Sequence, residues 1–304
     1  MSHDFIRPKL MDFAILLLLS VIWGSAFGAI KVAVESTGPF TLVAARTVIG
    51  FTVLFIFLAA SGGLKWDYAK LPYRRLLAIG LFGTLLPFFL ISWAEQTVDS
   101  AVAGLMNGAG PLITVLGAHF ITRDELMTKG RLAGVLIGLI GIVVLMRDGL
   151  DKLGTDSLMG QLALVLAFSC YAAGNLMVRG QSLLTPVQLA ASSLFIAGLV
   201  SVPAALWLEA PTPQNWPLSV WGAILWLGII STAFAFSLRY VLIERAGAGF
   251  MANVGYLIPI VAVLIGFFIL GESISPAIML AMLTILISLY ITRRAGIRLR
   301  KKNI

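Results

Sequence analysis

The chain has 304 residues, of which 59% are hydrophobic and 12% are charged, and its formal net charge is +8. Soluble globular proteins carry about 25% charged residues, so this composition excludes an ordinary soluble enzyme, a disordered protein and a nucleic-acid-binding protein. The single cysteine, Cys170, excludes an intrachain disulfide. With only His3 and His119 beside it, a Cys/His metal cluster is excluded as well. We therefore expect an all-α integral membrane protein.

Uncharged runs between polar breaks predict ten transmembrane helices, because a bilayer core of about 30 Å requires about 20 apolar residues of helix. The predicted spans are 13–30, 39–60, 76–93, 100–121, 132–146, 158–178, 186–208, 218–238, 249–270 and 276–291. The breaks at 94–99 and 271–275 are very short. Eight spans, with two pairs joined as long bent helices, are therefore the alternative.

The basic residues indicate the orientation of these spans. If the N-terminus is cytoplasmic, 18 of the 22 Lys and Arg residues fall in inner segments, among them a basic tail at 294–304. Lys31, Arg147 and Lys152 fall outside, and Arg46 lies within a span. Cytoplasmic segments are enriched in Lys and Arg, so we predict that both termini are cytoplasmic. The positive charge then contacts anionic lipid headgroups, and no nucleic-acid partner is needed.

The N-terminus also has features of a secretory signal peptide. Arg7 and Lys9 precede an apolar run at 13–22, and small residues follow near Ala26 and Gly28. The apolar run nevertheless continues to a full span length, and nine more predicted spans follow. We therefore interpret it as an uncleaved first helix.

A polar stretch at 147–157 divides the chain into halves of five spans that resemble each other. Trp23 is followed eight residues later by Lys31, as Tyr171 is by Arg179. The segment that begins at Pro39 matches the segment that begins at Pro186. In the fourth span of each half a proline precedes a glutamate, as Pro111 and Glu125 in the first half and as Pro259 and Glu272 in the second.

Since five is odd, the second half must enter the membrane from the opposite side. The sequence therefore predicts an inverted-topology repeat. This plan is associated with secondary transporters, whose substrate site lies near the midplane between the halves.

These motifs resemble the EamA repeat of the drug/metabolite transporter superfamily. In the first half the resemblance is carried by Trp23-Gly-Ser-Ala-Phe, by Ala44-Ala-Arg46 and by Pro111 with Glu125. In the second half it is carried by Leu242-Ile-Glu-Arg-Ala-Gly-Ala-Gly, by Tyr256-Leu-Ile-Pro259 and by Leu270-Gly-Glu272. The first half departs from the family at Thr122-Arg123-Asp124-Glu125, which replaces Gly-Glu and adds one residue after Pro111.

The resemblance covers residues 10–293. It implies a first repeat at 10–147, a second repeat at 158–293, and a ten-helix carrier of the bacterial inner membrane. Carriers of this family usually export amino acids, related metabolites or small drugs.

Arg46 is the sharpest candidate for a functional residue. A charged side chain within a span costs at least about 2.5–3.5 kcal/mol at mid-depth. Arg46 lies roughly 10 Å below the outer face, seven residues after Pro39 at 1.5 Å per residue. No span places a carboxylate near its middle, so Glu95 and Asp99 are the nearest acidic candidates. Arg46 either clamps helices through Glu95 or through backbone, or it offers a bidentate site to a substrate carboxylate.

Other polar and aromatic residues within the spans complete the candidate site. Asparagines in spans either hydrogen-bond between helices or converge on a substrate. Trp23 and Tyr171 occupy equivalent mid-depth positions, where they line a cavity or pack in the core. Trp93 lies at a predicted outer end, either as a residue of the interfacial aromatic belt or as part of an outer gate. The predicted substrate-binding set is Trp23, Arg46, Trp93, Asn107, Tyr171, Asn175, Asn253 and Tyr256. Prolines within spans mark bends for gating, namely Pro87, Pro111, Pro203 and Pro259.

Absent motifs narrow the function further. The sequence has no ATP-binding loop, no metal motif and no nucleophile with a basic partner in the spans, so we expect no cofactor and no bound metal. We predict a secondary transporter of small metabolites, such as amino acids or related amphipathic solutes, that works by alternating access as a monomer or homodimer. The alternatives are an efflux carrier for drugs or organic anions and, less favoured, a polytopic membrane enzyme or a subunit.

Energy coupling is constrained by the same absence of a mid-depth carboxylate. Facilitated efflux or exchange is the simpler expectation. Coupling to protons would have to use Glu95, Asp99 or His119, near the ends of the spans.

Overall fold

The computed structural model describes residues 8–64, 71–121, 127–150, 156–178, 183–246, 248–251 and 253–302, and their regular structure is helical. Helices α3 (Tyr73–Ala94) and α8 (Pro186–Glu209) each contain a π-helical turn, at Leu81–Leu85 and at Ala205–Glu209. A third makes up the middle of α9, which runs Leu218–Leu225, Trp226–Phe234 and Ala235–Ala246 without interruption. The other bounds are α1 Leu10–Val34, α2 Pro39–Ala60, α4 Ser100–Met106, α5 Ala109–Ile121, α6 Lys129–Leu150, α7 Asp156–Val178, α10 Ala248–Met251, α11 Val254–Phe268 and α12 Pro276–Lys302.

The chain is a multi-pass membrane protein. Among the described residues seven helices are long and apolar enough to cross a bilayer, and these are α1, α2, α3, α6, α7, α8 and α9. Three shorter apolar stretches accompany them, at Ser100–Leu116, Val254–Phe268 and Pro276–Thr292. Both short breaks in the sequence are helix ends, since α3 stops at Ala94 and α11 stops at Phe268.

Local sequence explains where several helices begin. Proline opens α2 at Pro39, α8 at Pro186 and α12 at Pro276. Its missing N–H costs nothing in the first turn, and its fixed φ suits a helix. At the start of α8, Thr185 and Gln188 form a reciprocal capping box, in which each side chain accepts the other residue's backbone N–H.

Matching helices of the two halves lie side by side and run antiparallel. Glu209, at the end of α8, contacts the first turn of α2. Gln188, in the first turn of α8, donates 2.7 Å to the carbonyl of Gly63, just after α2. Glu272, which follows α11, contacts the first turn of α4. Contacts between α6 and α12 run in opposite order too, from Gly130 with Ala295 to Gly141 with Ala281.

Other contacts between helices also occur in equivalent pairs, one for each half of the chain. Helix α3 packs on α7, as α9 packs on α1, and α1 packs on α11, as α7 packs on α5. Exchanging α1–α6 for α7–α12 therefore maps each of these pairings onto another. The two halves therefore make equivalent contacts with each other.

Glycines allow the close approach of α6 and α12. A Cβ on Gly134 would lie 2.9 Å from the backbone N of Thr292 and 3.0 Å from the carbonyl of Ser288. A Cβ on Gly138 would lie 2.5 Å from the Ser288 hydroxyl oxygen. Small residues drive such contacts in membranes, because lipid provides no hydrophobic force between helices.

The four predicted bends differ in how the helix accommodates them. Pro87 lies two residues after the π-helical turn of α3 ends, and Pro203 lies two residues before the one in α8 begins. Prolines and π turns are both common places for a helix to bend. Pro111 follows the gap between α4 and α5, whereas Pro259 lies inside α11. Three of these prolines therefore lie near a widened turn or a break between helices, and the fourth lies inside a regular helix. Their role in gating remains a prediction.

We expect Gly134→Ala to lower the thermal unfolding midpoint in detergent. Its methyl group meets backbone atoms of α12, and overpacking of this kind costs about 1–3 kcal/mol. The control is Gly222→Ala on α9, where an added Cβ meets nothing within 4 Å and where helix propensity favours alanine. Equal midpoints for the two variants would contradict the close packing of α6 on α12.

Candidate functional site

The π-helical part of α9 is the structural irregularity on which the candidate site is built. No proline lies within it. Instead the Thr232 hydroxyl donates 2.7 Å to the carbonyl of Leu227, five residues earlier. The neighbouring Ser231 carbonyl accepts the indole N–H of Trp23 at 3.1 Å. Widened turns of this type occur frequently at functional sites, because they free backbone and side-chain groups for other partners.

Arg46 projects from α2 onto this part of α9. Its side chain is buried, with 8% of the residue exposed. Its Nε donates 2.9 Å to the Thr232 hydroxyl oxygen, and its guanidinium carbon lies 3.8 Å from the centroid of the Phe88 ring. A cation over an aromatic face is stabilised by about 0.5–2 kcal/mol. Thr232 and Phe88 therefore hold the guanidinium by one edge and one face.

Close packing of α2 on α9 fixes this geometry. A Cβ on Gly50 would lie 3.0 Å from the Thr232 methyl group, and a Cβ on Gly228 would lie 2.7 Å from Ile49. Only residues without a side chain allow the two helices to approach this closely. The register of Arg46 against Thr232 is thus set by the backbones.

The two terminal nitrogens of Arg46 make no hydrogen bond within the described structure, and no carboxylate there lies within 4.0 Å of them. The clamp through Glu95 is therefore not formed, and the partner that Arg46 has is Thr232. A planar guanidinium held by Nε still offers its outer fork to a bidentate acceptor.

Two of the predicted aromatic residues lie around Arg46. Trp23 bonds to Ser231, directly beside Thr232, and packs edge-on against Phe236 with ring centroids 6.4 Å apart. Tyr171 packs at the junction of the two largest hydrophobic clusters and interacts electrostatically with Arg46. Both side chains remain partly accessible. The structure thus brings Trp23, Arg46 and Tyr171 to one region between the halves.

The asparagines and Tyr256 occupy separate places. Asn107 caps the end of α4 at the break before α5, is half-buried, and makes no side-chain hydrogen bond within the described structure. Asn253 donates its amide to the Phe250 carbonyl at 2.8 Å, and the Tyr256 hydroxyl donates to the Leu289 carbonyl at 2.8 Å. Asn253 therefore braces its own turn, and Tyr256 joins α11 to α12.

Trp93 and Asn175 are exposed on the surface of the helices. Trp93 is 40% exposed near the C-terminal end of α3, and Asn175 is exposed near the end of α7. The structure does not bring them to the group around Arg46. The side chain of His119 and all of Glu125 lie outside the described residues.

Three residues of this region escaped the sequence prediction. Ser231 and Thr232 form a polar pair in the middle of an apolar span, a signal that could have been used. The Ser231 hydroxyl is fully buried and makes no hydrogen bond. Phe88 carries no comparable signal, because an aromatic residue in an apolar helix is ordinary.

Two carboxylates of the second half bind helix N-termini of the first half. Glu209 accepts the backbone N–H groups of Phe40 and Thr41 at 2.9 and 2.7 Å, and the Thr41 hydroxyl at 2.6 Å. Gly38 leaves room for it, since a Cβ there would overlap the carboxylate. Glu272 likewise accepts the N–H groups of Ser100 and Ala101 at 2.8 and 2.9 Å. Negative charge at a helix N-terminus is stabilising, because the first N–H groups have no intrahelical acceptor.

Glu95, directly after the α3 span, has a different environment. It is fully buried, and neither carboxyl oxygen has a hydrogen-bond partner. Burial holds the pKa of the Glu95 carboxyl well above its ordinary value of 4.5, reinforced by the charge of Glu272 and partly opposed by Lys31 and Arg46. Partial desolvation of its carboxyl and the Glu272 charge also raise the pKa of Asp99, although that residue is exposed. Burial without a hydrogen-bond partner thus disfavours the ionised form of Glu95.

The model of the EamA-like transporter family matches the chain twice, at residues 11–147 and 158–294. Together these matches span most of the sequence. The chain belongs to the EamA-like transporter family. It is a transporter built from two copies of this family's repeat.

Several named proteins are similar over nearly the whole chain. An uncharacterized transporter of Archaeoglobus fulgidus is 27% identical over 284 residues, which are 92% of this chain and 98% of that protein. The inner membrane transporter YedA of Escherichia coli is 27% identical over 275 residues, 88% of this chain and 86% of that protein.

A Chlamydia trachomatis protein named S-adenosylmethionine/S-adenosylhomocysteine transporter is 26% identical over 286 residues, 89% of this chain and 86% of that protein. A solved crystal structure is 22% identical and superposes with a TM-score of 0.67 over 95% of this chain and 99% of that one. The similarity to this solved structure shows a shared fold.

We expect Thr232→Val to lower the thermal unfolding midpoint more than Thr232→Ser does. Valine keeps the shape but removes the hydroxyl bond to the Leu227 carbonyl and leaves Arg46 Nε without its acceptor, and a buried polar group without a partner costs about 1–3 kcal/mol. Thr52→Val is the matched control, because the Thr52 hydroxyl bonds only within α2 on an exposed face. Indistinguishable midpoints for Thr232→Val and Thr52→Val would contradict the anchoring role of Thr232.

Proposed function

We propose that this transporter is a secondary carrier that exports small amphipathic metabolites carrying a carboxylate, such as amino acids or their derivatives. Transport proceeds by alternating access, with the substrate held between the two halves. The observation that carries this proposal is Arg46, a buried cation held by Thr232 and Phe88 with its outer nitrogens unbonded. A buried charge without a counter-ion is costly, so a bound anion repays part of that cost.

The groups around Arg46 suit the two ends of such a solute. The guanidinium fork matches the geometry of a carboxylate. The buried Ser231 hydroxyl, next in sequence to Thr232, has no hydrogen-bond partner among the described residues and is a candidate second polar group if the region opens. Trp23 and Tyr171 provide apolar faces for the remainder of the molecule. Asn107 lies at a broken helix, where transporters commonly expose polar groups to substrate.

The similar protein of Chlamydia trachomatis supports this class of substrate. S-adenosylmethionine and S-adenosylhomocysteine are amino-acid derivatives that combine a carboxylate with a large ring system. A carrier of this chain's size and family is thus named for amphipathic amino-acid derivatives. We extend the chemical class to this chain and leave the individual molecule open.

We further propose ten membrane spans arranged as two inverted repeats, with both termini in the cytoplasm of a bacterial cell. In this arrangement α4 with α5, and α10 with α11, each serve as one broken span. The antiparallel packing of α2 on α8, of α4 on α11 and of α6 on α12 supports the inversion. The excess of Lys and Arg in the proposed inner segments supports the orientation.

The topology is testable with two cysteine variants at the ends of α2. Ser36 and Ser61 are both exposed serines on opposite ends of this helix. In a background that lacks the buried Cys170, we expect an impermeant thiol reagent to label Ser36→Cys in intact cells. Ser61→Cys should be labelled only in opened cells. The reverse pattern would overturn the orientation, and labelling of both in intact cells would overturn the span.

The substrate site is testable in vesicles with purified protein. We expect Arg46→Gln to weaken binding of carboxylate substrates by about tenfold to a hundredfold, since hydrogen bonds to charged groups are worth about 1.5–3 kcal/mol. Arg46→Lys should lose part of the affinity, because an ammonium lacks the planar fork. Trp23→Ala should weaken binding of solutes with large apolar parts. Arg294→Gln, an exposed arginine near the end of α12, is the control.

Comparison of each amino acid with its carboxamide identifies the group that Arg46 binds. Loss of uptake for the amide in wild type, but no difference in Arg46→Gln, supports the proposal. Uptake of organic anions without an amino group, and not of amino acids, would favour an organic-anion carrier instead. If Arg46→Gln fails to fold and a compensating change at Glu95 restores folding and transport, Arg46 is a structural clamp and the substrate assignment is wrong.

A further inference from the structure

The Glu95 carboxyl is a buried acidic group that the proposed substrate site does not use. The residue has no exposed surface, and both side-chain oxygens are without hydrogen-bond partners. It follows directly after α3, at the end of the molecule where Glu272 binds the first turn of α4. Ser100, the first residue of α4, is also fully buried, and its hydroxyl has no partner. With Gln161 of α7, whose amide oxygen is also buried and unbonded, three buried side chains at this end of the molecule have polar atoms without partners among the described residues.

The nearest cation does not neutralise Glu95 by direct bonding. Lys31 of α1 donates its ammonium group to the backbone carbonyls of Glu95 and Val98, at 2.9 and 3.1 Å. Its donors are thus directed at the main chain, while the carboxyl oxygens of Glu95 remain unbonded. Lys31 holds the turn after α3 against α1 and leaves the acid of that turn unpaired.

The other described groups around Glu95 are few. Helix α2 contributes Arg46, which bonds to Thr232, and the segment after α11 contributes Glu272, whose oxygens bind α4. The turn itself contributes Asp99, which is exposed. Helix α7 packs on the turn through Gly160, whose added Cβ would lie 3.2 Å from the Ala94 carbonyl. The residue after Gly160 is Gln161, which is uncharged.

An ionised carboxylate in this position would be buried without a hydrogen bond, which is among the most costly arrangements in a protein. A protonated carboxyl avoids that cost. Water that enters between α1, α4 and α7 would hydrate the group and reverse the preference. Closing of this end of the helix bundle therefore favours protonation of Glu95, and protonation of Glu95 favours closing by the same factor.

We propose that Glu95 is a proton-binding site of this transporter, occupied while this end of the helix bundle is closed and vacated when it opens. On opening, the O–H bond of the carboxyl breaks, the proton passes to water and the electron pair stays on the carboxylate. On closing, the carboxylate takes a proton from water. The site itself rests on the geometry of Glu95. Release toward the outer side rests additionally on the proposed orientation.

Stability measured against pH tests the site without any transport assay. The folded protein retains a proton that the unfolded chain loses above the ordinary carboxyl pKa of 4.5. Stability conferred by Glu95 is therefore fully present below that pKa and is lost as pH rises toward the raised pKa of the folded state. We expect the unfolding equilibrium of wild type to shift by up to tenfold per pH unit in this window. In Glu95→Gln this contribution should be absent.

Two further variants make the comparison specific. Glu95→Asp retains a carboxyl and should keep the pH dependence. Glu35→Gln removes an exposed glutamate at the same end of the molecule and should match wild type. The infrared carbonyl band of a protonated carboxylic acid should be present in wild type at neutral pH and reduced in Glu95→Gln. An unchanged band and an unchanged pH dependence in Glu95→Gln would overturn the proposal.

The link to opening is measured at Ser100. In a background without Cys170, we expect labelling of Ser100→Cys to accelerate with rising pH by up to about tenfold per unit, because one proton is released. The same cysteine in Glu95→Gln corrects for the ionisation of the thiol itself. Equal pH dependence in both backgrounds would overturn the link. These readouts are independent of Arg46, so their failure would leave the substrate proposal standing, and loss of carboxylate recognition would leave the proton site standing.

Discussion

Hydrocarbon offers no hydrogen bonds, so every free N–H group at a helix end near the membrane must find its acceptor within the protein. This constraint explains two contacts that join distant parts of the transporter chain. The first turns of α2 and α4 obtain their acceptors from Glu209 and Glu272, which belong to the other half of the chain. The first half therefore depends on the second for these two helix ends, whereas α8 of the second half is capped by its own Thr185 and Gln188. The two halves are therefore joined by the chemistry of their helix termini as well as by apolar packing.

The same constraint gives the irregular turns their role. Widened turns lie beside Pro87 in α3 and Pro203 in α8, and they form the middle of α9. In α9 the Thr232 hydroxyl donates to the Leu227 carbonyl within the π-helical stretch and accepts the Arg46 Nε–H. One hydroxyl thus bonds to the widened turn and holds the buried cation. The helix defect and the candidate site are a single structural feature.

Much of the helical framework was predictable, and the reasons are local. Proline at the first position marks the start of α2, α8 and α12, and the internal similarity of the halves indicates the repeat. The orientation of each helix about its axis was not predictable. Lipid and protein interior are equally apolar, so composition does not distinguish the buried Phe88 from the exposed Trp93. The burial of Glu95 was hidden as well, because it lies in a short polar turn, and the sequence of that turn does not reveal that other helices, α1 and α7 among them, enclose it.

The pairing of α2 with α8 is fastened unequally at its two ends. At one end the charged Glu209 accepts three hydrogen bonds from the first turn of α2, whereas at the other the neutral Gln188 donates one to Gly63. Hydrogen bonds to an ionised group are roughly twice as strong as neutral ones. If α2 and α8 were to separate, the charged contacts of Glu209 would hold their end of the pair together longest.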